Sequence, residues 1–104
     1  MNVLGGVLQE ERERMENNIL RYKKMLLSLP RGTIFVRKMG NSFFAYRKYK
    51  QDGKVLSKYL GNIELPEVKH EIELSKDYKR IKKNIIIAKN ELATLNKVIR
   101  FYGK

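Results

Sequence analysis

The C-terminal third of the chain has the most regular pattern of hydrophobic and polar positions. Apolar side chains recur there in alternating steps of four and three residues: Leu74, Tyr78, Ile81, Ile85, Ala88, Leu92, Leu95, Ile99 and Tyr102. This seven-residue repeat predicts a long helix of the coiled-coil type over residues 66–102. Pro66 suits the first turn of that helix, and Gly103 is placed to end it.

The N-terminal part of the chain has a similar pattern with one interruption. Its apolar positions are Leu8, Met15, Ile19, Tyr22, Leu26 and Leu29. These positions are three or four residues apart, with Arg12 at the one position of the series that is polar. The spacing predicts a helix over residues 7–29. Pro30 disfavours helical geometry at the residue before it and is expected to end the helix. We expect the long C-terminal helix to pack back on this first helix.

Between the two helices, shorter segments alternate apolar and polar residues and predict three strands, at 33–38, 43–50 and 54–60. Two hairpin signals, Gly40-Asn41 and Asp52-Gly53, separate them and predict an antiparallel sheet over residues 33–61. The turns place these residues opposite one another: Val36 and Ala45, Phe35 and Tyr46, Tyr46 and Tyr59, Arg47 and Lys58, Tyr49 and Leu56. The predicted fold is α+β in the order αβββα, in a single domain over residues 1–104.

Side chains alternate between the two faces of a strand, so this register divides the sheet residues into two sets. The more aliphatic set holds Ile34, Val36, Phe43, Ala45, Tyr49, Leu56 and Leu60, with Lys38, Arg47 and Lys58 at its margins. The other set holds Phe35, Arg37, Phe44, Tyr46, Lys48, Lys50, Val55, Ser57 and Tyr59. We assign the aliphatic set to the core, although a one-residue change of register would exchange the two faces.

The charge of the chain changes what this sheet is expected to do. The 104 residues include 23 Lys and Arg against 11 Asp and Glu, a formal net charge of +12. Residues 31–62 alone hold eight basic residues and a single acid, Asp52. So strong an excess in a small domain favours an anionic partner.

Two groups of residues are candidates for binding nucleic acid, because cations bind phosphates and flat rings stack on bases. The sheet offers Arg37, Tyr46, Lys48, Lys50, Lys58 and Tyr59, and the long helix offers a basic stripe of Lys76, Lys79, Arg80 and Lys83 at helical spacing. This stripe is expected to lack paired acids. The alternatives are that the rings form the core and that the stripe is a solvated flank of a coiled coil.

Residues able to carry out catalysis or bind metal are scarce. The chain has no cysteine and one histidine, His70, with glutamates around it at no recognised metal-binding spacing. We therefore expect no enzymatic activity, no metal site and no cofactor. No apolar run approaches the ~18 residues of a membrane span, so the sequence predicts a soluble, cytoplasmic protein with no membrane partner.

One block of residues resembles a known family. It comprises Pro30-Arg31-Gly32, Tyr46, Tyr49-Lys50, Gly53-Lys54-Val55 and Ser57-Lys58-Tyr59-Leu60-Gly61. The block is similar to that of short, mostly uncharacterised helix/β-hairpin/helix proteins of bacteria, archaea and their phages and mobile elements. A related hairpin occurs near the start of some cut-and-paste transposases. The resemblance implies a role in nucleic-acid transactions on mobile DNA.

Three hypotheses of function follow from these observations. The first is a non-enzymatic protein that binds DNA or RNA through the basic sheet and the helix stripe. The second is a phage-encoded inhibitor of a host RNA-guided nuclease, of the anti-CRISPR type, that binds the effector or its guide RNA and so has a nucleoprotein complex as its partner. The third is a homodimeric structural or interaction protein, in which the long heptad helix pairs two copies and the charge only aids solubility. Ile86, Ile87, Val98 and Phe101 widen the apolar stripe of that helix beyond one narrow partner helix, and we expect this surplus to rest either on the sheet or on a second copy.

Overall fold

The structure, a computed structural model, describes residues 3–102 and confirms the α+β fold. Its elements are α1 (Val3–Leu27), β1 (Thr33–Met39), β2 (Ser42–Gln51), β3 (Lys54–Asn62) and α2 (Pro66–Tyr102). The bounds of α2 are those predicted from the heptad pattern. The predicted stop at Gly103 lies outside the described residues.

The described chain divides into two compact units. The helical unit contains α1 with the part of α2 from Arg80 onward. The sheet unit contains residues 29–79, and therefore the three strands and the first turns of α2.

In the helical unit, α1 contacts α2 as predicted. Its buried side chains are Ile19 of α1 and Ile81 and Ile85 of α2, all below 9% exposed. The heptad seam, which is the row of apolar positions predicted for α2, continues in this unit through half-buried Leu92, Leu95 and Ile99. It ends at exposed Tyr102. Of the four apolar residues beside this row, Ile86, Ile87 and Phe101 are 57%, 45% and 76% exposed, whereas Val98 is half-buried.

Both ends of α1 differ from the prediction. The helix begins at Val3 and so includes Gly5 and Gly6, although glycine is a poor helix former. It ends at Leu27, because both the backbone N–H and the hydroxyl of Ser28 donate to the carbonyl oxygen of Met25, at 3.1 and 2.7 Å. Leu29 therefore lies outside the helix.

The sheet has the order β1-β2-β3 and is antiparallel throughout. Each of the five residue pairs expected from the turns is confirmed. Asp52 and Gly53 both have positive φ, 51° and 77°, as a type I′ turn requires, whereas only Gly40 is positive in the other turn.

One irregularity corrects the predicted face assignment. Between the Tyr46–Tyr59 pair and the next one the register shifts by a residue, so Ala45 lies opposite Gly61. Leu60, predicted to share the core face with Ala45, is instead the extra residue of a β-bulge.

The face that carries Ala45, here called the helix face, is covered at its centre by the start of α2. Ala45 and Val68 are 0% and 1% exposed. A Cβ on Gly61, whose φ is 131°, would lie 3.2 Å from Cγ2 of Val68 and 3.3 Å from Cδ1 of Leu65. Glycine at this position therefore lets helix and strand approach closely.

The turn between β3 and α2 fixes this approach. The side-chain oxygen of Asn62 accepts a hydrogen bond from the backbone of Glu64 at 2.9 Å. The carbonyl of Leu65 accepts bonds from Val68 and Lys69, so Leu65 caps the helix and Pro66 takes its first position.

The core on the helix face is smaller than predicted. Val36, Phe43 and Leu56 were all assigned to the core, yet they are 48%, 42% and 39% exposed. A single helix is about 10 Å wide and does not cover three strands. The assignment of this face to the core is right around Ala45 and wrong towards the edges.

Candidate nucleic-acid interface

Four aromatic rings lie together on the opposite side of the sheet, here called the ring face. Phe35, Tyr46 and Tyr59 are direct partners across β1, β2 and β3 and form one continuous row. The rings of Phe35 and Tyr46 stack with centroids 5.3 Å apart and planes 12° from parallel. Tyr59 meets Tyr46 edge-on at 5.4 Å, and Phe44 lies 6.2 Å from Tyr59. Tyr59 is 57% exposed, so the row is open to solvent at β3.

Three cations lie on the same face as this row. Cζ of Arg37 lies 5.8 Å from the ring centroids of both Phe35 and Tyr46, within the range of a cation–π contact. Lys48 and Lys50 are exposed on the same face. Among residues 3–102, none of the three forms an ion pair with an acid. The strands themselves contain no aspartate or glutamate.

A shallow groove crosses the ring face. It encloses about 430 Å³ and is lined by Thr33, Ile34, Phe35, Arg37, Lys48 and Ser57. Thr33, Lys48 and Ser57 are partners across the three strands, so the groove follows a second row beside the aromatic one. Along this second row the groove presents the ammonium of Lys48 between the hydroxyl groups of Thr33 and Ser57.

The structure brings together five of the six sheet residues proposed from sequence. Arg37, Lys48, Lys50, Tyr46 and Tyr59 all lie on the ring face. Lys58 is the exception, because it lies opposite Arg47 on the helix face. It is exposed there, with Lys38 and Lys54.

The basic stripe on α2 differs from its expected form. Nζ of Lys76 lies 3.3 Å from a carboxylate oxygen of Glu73, so the expectation of a stripe without paired acids is wrong. The two residues are three apart on one helix, which places them within reach of each other. Lys76 and Lys79 belong to the sheet unit, whereas Arg80 and Lys83 belong to the helical unit.

Arg47 is a cation whose role the sequence did not indicate. Its side chain is 13% exposed on the helix face, and its guanidinium is ion-paired with Glu71 of α2. It is the only cation within the three strands that forms an ion pair among the described residues. Arg47 therefore links β2 to α2, and its charge is neutralised within the protein by Glu71.

Within residues 3–102, no three histidine or acidic side chains converge on a point that could hold a metal ion. None of the helices in that range combines the length and apolar character that crossing a membrane requires.

Part of the chain matches a known protein family. The family model of a domain of unknown function, DUF6788, matches residues 7–70, which is more than half of the chain. The chain therefore belongs to the DUF6788 family. The matched range contains most of α1, the whole sheet with its ring face, and the turn into α2. No curated protein and no solved structure matches the chain.

Proposed function

We propose that this protein is a non-enzymatic nucleic-acid-binding protein and that the ring face of its sheet is the interface. The observation that supports this most is the coincidence, on one face, of an aromatic row that is open to solvent at Tyr59 with three cations that form no ion pair among the described residues. The cations can bind the phosphates of a polynucleotide, and the rings can contact its bases and sugars.

The three cations of the ring face are suited to bind the phosphates of a nucleic acid. Each Lys or Arg that neutralises a phosphate releases condensed counterions, which favours binding at moderate salt. Lys48 and Lys50 lie two residues apart on one face of β2 without an intervening acid, so they repel each other and an anionic ligand relieves that repulsion. The net charge of +12 also attracts a polyanion from a distance.

The rings distinguish nucleic acid from other polyanions. An acidic protein or a polyphosphate would be satisfied by charge alone and would gain little from Tyr46 or Tyr59. Bases and sugars present flat or apolar surfaces that pack on aromatic side chains. An aromatic row with cations beside it is therefore typical of a surface that binds bases and phosphates together.

Two variants of equal charge test this proposal. The first replaces Arg37, Lys48 and Lys50 of the ring face by glutamine, and the second replaces Lys38, Lys54 and Lys58 of the helix face by glutamine. Both lower the net charge by three, so attraction at long range falls equally.

Binding of labelled DNA and RNA is measured by fluorescence anisotropy over a range of salt concentrations. The ring-face variant should bind at least tenfold more weakly than the helix-face variant, with a log–log salt slope smaller in magnitude by about 2. Equal losses in the two variants, or no binding by the parent protein at low salt, would overturn the proposal. An acidic protein of similar size serves as the control ligand and should bind weakly.

A further inference from the structure

We infer that the ligand of the ring face is single-stranded nucleic acid that lies across the strands, with its bases on one row of side chains and its backbone on the next. This inference rests on the proposed function and adds the form of the ligand. It follows from the order in which the two rows occur on the sheet.

The ring row consists of Phe35, Tyr46 and Tyr59. The donor row consists of Thr33, Lys48 and Ser57. Each residue of the donor row is two positions from a residue of the ring row on the same strand, so the rows run side by side about 7 Å apart. Both cross all three strands.

The two rows offer different chemistry to a ligand. The donor row presents the ammonium of Lys48 between two exposed hydroxyls, and each of these groups can donate to a phosphate or sugar oxygen. The ring row presents aromatic surface, most openly at Tyr59. A polynucleotide has the same division, with a charged backbone on one side and flat bases on the other.

Only a single strand can use both rows at once. In a duplex the bases are stacked and paired within the helix, so an exposed aromatic row meets at most sugars. Unpaired bases can turn outward and stack on the rings, and one such stack strengthens binding by about 5- to 150-fold. A phosphate-binding surface for duplex DNA needs no rings at its centre.

The arrangement of the rings also limits how bases are bound. Phe35 and Tyr46 face each other at 5.3 Å and are nearly parallel, so their facing surfaces already contact one another. A base therefore stacks at the ends of the row, on Tyr59 at the β3 end or over Phe35 in the groove. Arg37, which contacts both Phe35 and Tyr46, places a positive charge beside the row on the side away from Thr33 and Lys48.

The experiment compares ligands and variants in parallel. The ligands are labelled dT12, rU12 and a 12-base-pair duplex, each titrated over the same series of salt concentrations. The variants are Tyr59→Leu, which removes an exposed ring, and Phe43→Leu, which removes a 42%-exposed ring from the helix face. Lys48→Gln is included as a variant of the donor row, and melting temperatures are recorded for every protein.

We expect at least one of the single strands to bind tenfold or more tightly than the duplex. Tyr59→Leu should weaken single-strand binding by about 5-fold or more without changing the salt slope, since no phosphate contact is removed. Phe43→Leu should bind as the parent does. Lys48→Gln should reduce the slope by about 0.7. The dT12 and rU12 arms show whether DNA or RNA is preferred.

Two failures are distinguishable. If the duplex binds as tightly as the single strands, or if Tyr59→Leu binds normally, the inference is wrong while nucleic-acid binding by the ring face stands. If none of the three ligands binds at low salt, the proposed function is wrong as well.

Discussion

The guanidinium of Arg47 in β2 is ion-paired with the carboxylate of Glu71 in α2, 24 residues further along the chain. The side chain of Arg47 is 13% exposed and that of Glu71 is 34% exposed, so the arginine has lost more of its hydration. Together with the contact of Gly61 with Val68, this pair fixes where the first turns of α2 cross the sheet. Of the sheet's other cations, Arg37 contacts the rings of Phe35 and Tyr46 on the ring face, and Lys38 lies 5.9 Å from the ring centroid of Phe43 on the helix face.

The unequal burial of this pair makes a prediction about its two single variants. Glu71→Gln leaves a mostly buried guanidinium without its counter-charge and should lower the free energy of unfolding by about 1–3 kcal/mol. Arg47→Met should cost less, because the glutamate that remains can be hydrated. Urea unfolding of both variants measures the difference. Losses below about 0.5 kcal/mol for both would mean that the pair contributes no more than an ordinary surface pair.

Gly32 gives a second prediction, at the entry to the sheet. Its φ is 101°, and a Cβ there would lie 2.3 Å from the backbone oxygen of Lys48. Gly40 also has positive φ, 65°, but a Cβ there would have no atom within 4 Å. Gly40→Ala should therefore cost about 1 kcal/mol from backbone strain alone, whereas Gly32→Ala should cost about 3 kcal/mol or more, or prevent folding.

Thermal unfolding of the two glycine variants provides the comparison. Gly6→Ala is the control within α1, since a Cβ there meets nothing and alanine favours helix. If Gly32→Ala and Gly40→Ala melted at the same temperature, the close approach of Gly32 to β2 would be contradicted.

The local parts of the fold could be predicted from the sequence because local chemistry determines them. Asp52-Gly53 and Gly40-Asn41 each specify a two-residue turn, and a two-residue turn sets the register of its hairpin as far as the first bulge. The ring row followed directly from that register. The heptad spacing likewise predicted α2, since a helix of that length depends on a periodic pattern, and Pro66 indicated where the helix begins.

The parts that depend on tertiary contact could not be predicted in this way. The bulge at Leu60 has no turn signal, and it brings a glycine under α2 where a leucine was expected. The pairing of Arg47 with Glu71 depends on how the helix crosses the sheet. The pairing of Lys76 with Glu73, in contrast, could have been predicted from their spacing of three residues on one helix.

Neighbouring residues of α2 test the heptad seam. Ile85 is 7% exposed and Ile86 is 57% exposed. Ile85→Asp places a charge among buried apolar side chains and should cost about 3 kcal/mol or more. Ile86→Asp should change stability by only about 0.5 kcal/mol. Equal melting temperatures for the two variants would contradict the seam.

Ile86→Asp also addresses the alternative of a homodimer. If a second copy covers the apolar residues beside the seam, this variant should shift the protein from dimer to monomer. Light scattering of the parent and of Ile86→Asp over a range of concentrations measures the mass. A parent protein that stays monomeric at high concentration would contradict the homodimer.

Tyr46 separates a role in stability from a role in binding, because it is the central ring of the ring row. It stacks on Phe35, meets Tyr59 edge-on and lies beneath Arg37. Its hydroxyl forms no hydrogen bond within residues 3–102. Tyr46→Phe should therefore retain both stability and affinity. Tyr46→Ala removes the ring from between its neighbours and should lower the free energy of unfolding by about 2–4 kcal/mol.

Affinity and melting temperature are measured on the same two variants, so that binding can be corrected for the folded fraction. On a ring face that meets bases, Tyr46→Ala loses affinity even after this correction, since the loss of its support displaces the rings on either side. The salt slope stays that of the parent, because no cation is removed. If the corrected affinity of Tyr46→Ala equals that of the parent, the ring is structural only. The binding surface would then lie among Lys38, Lys54 and Lys58 on the helix face, where the charge is exposed and the aromatic row is absent.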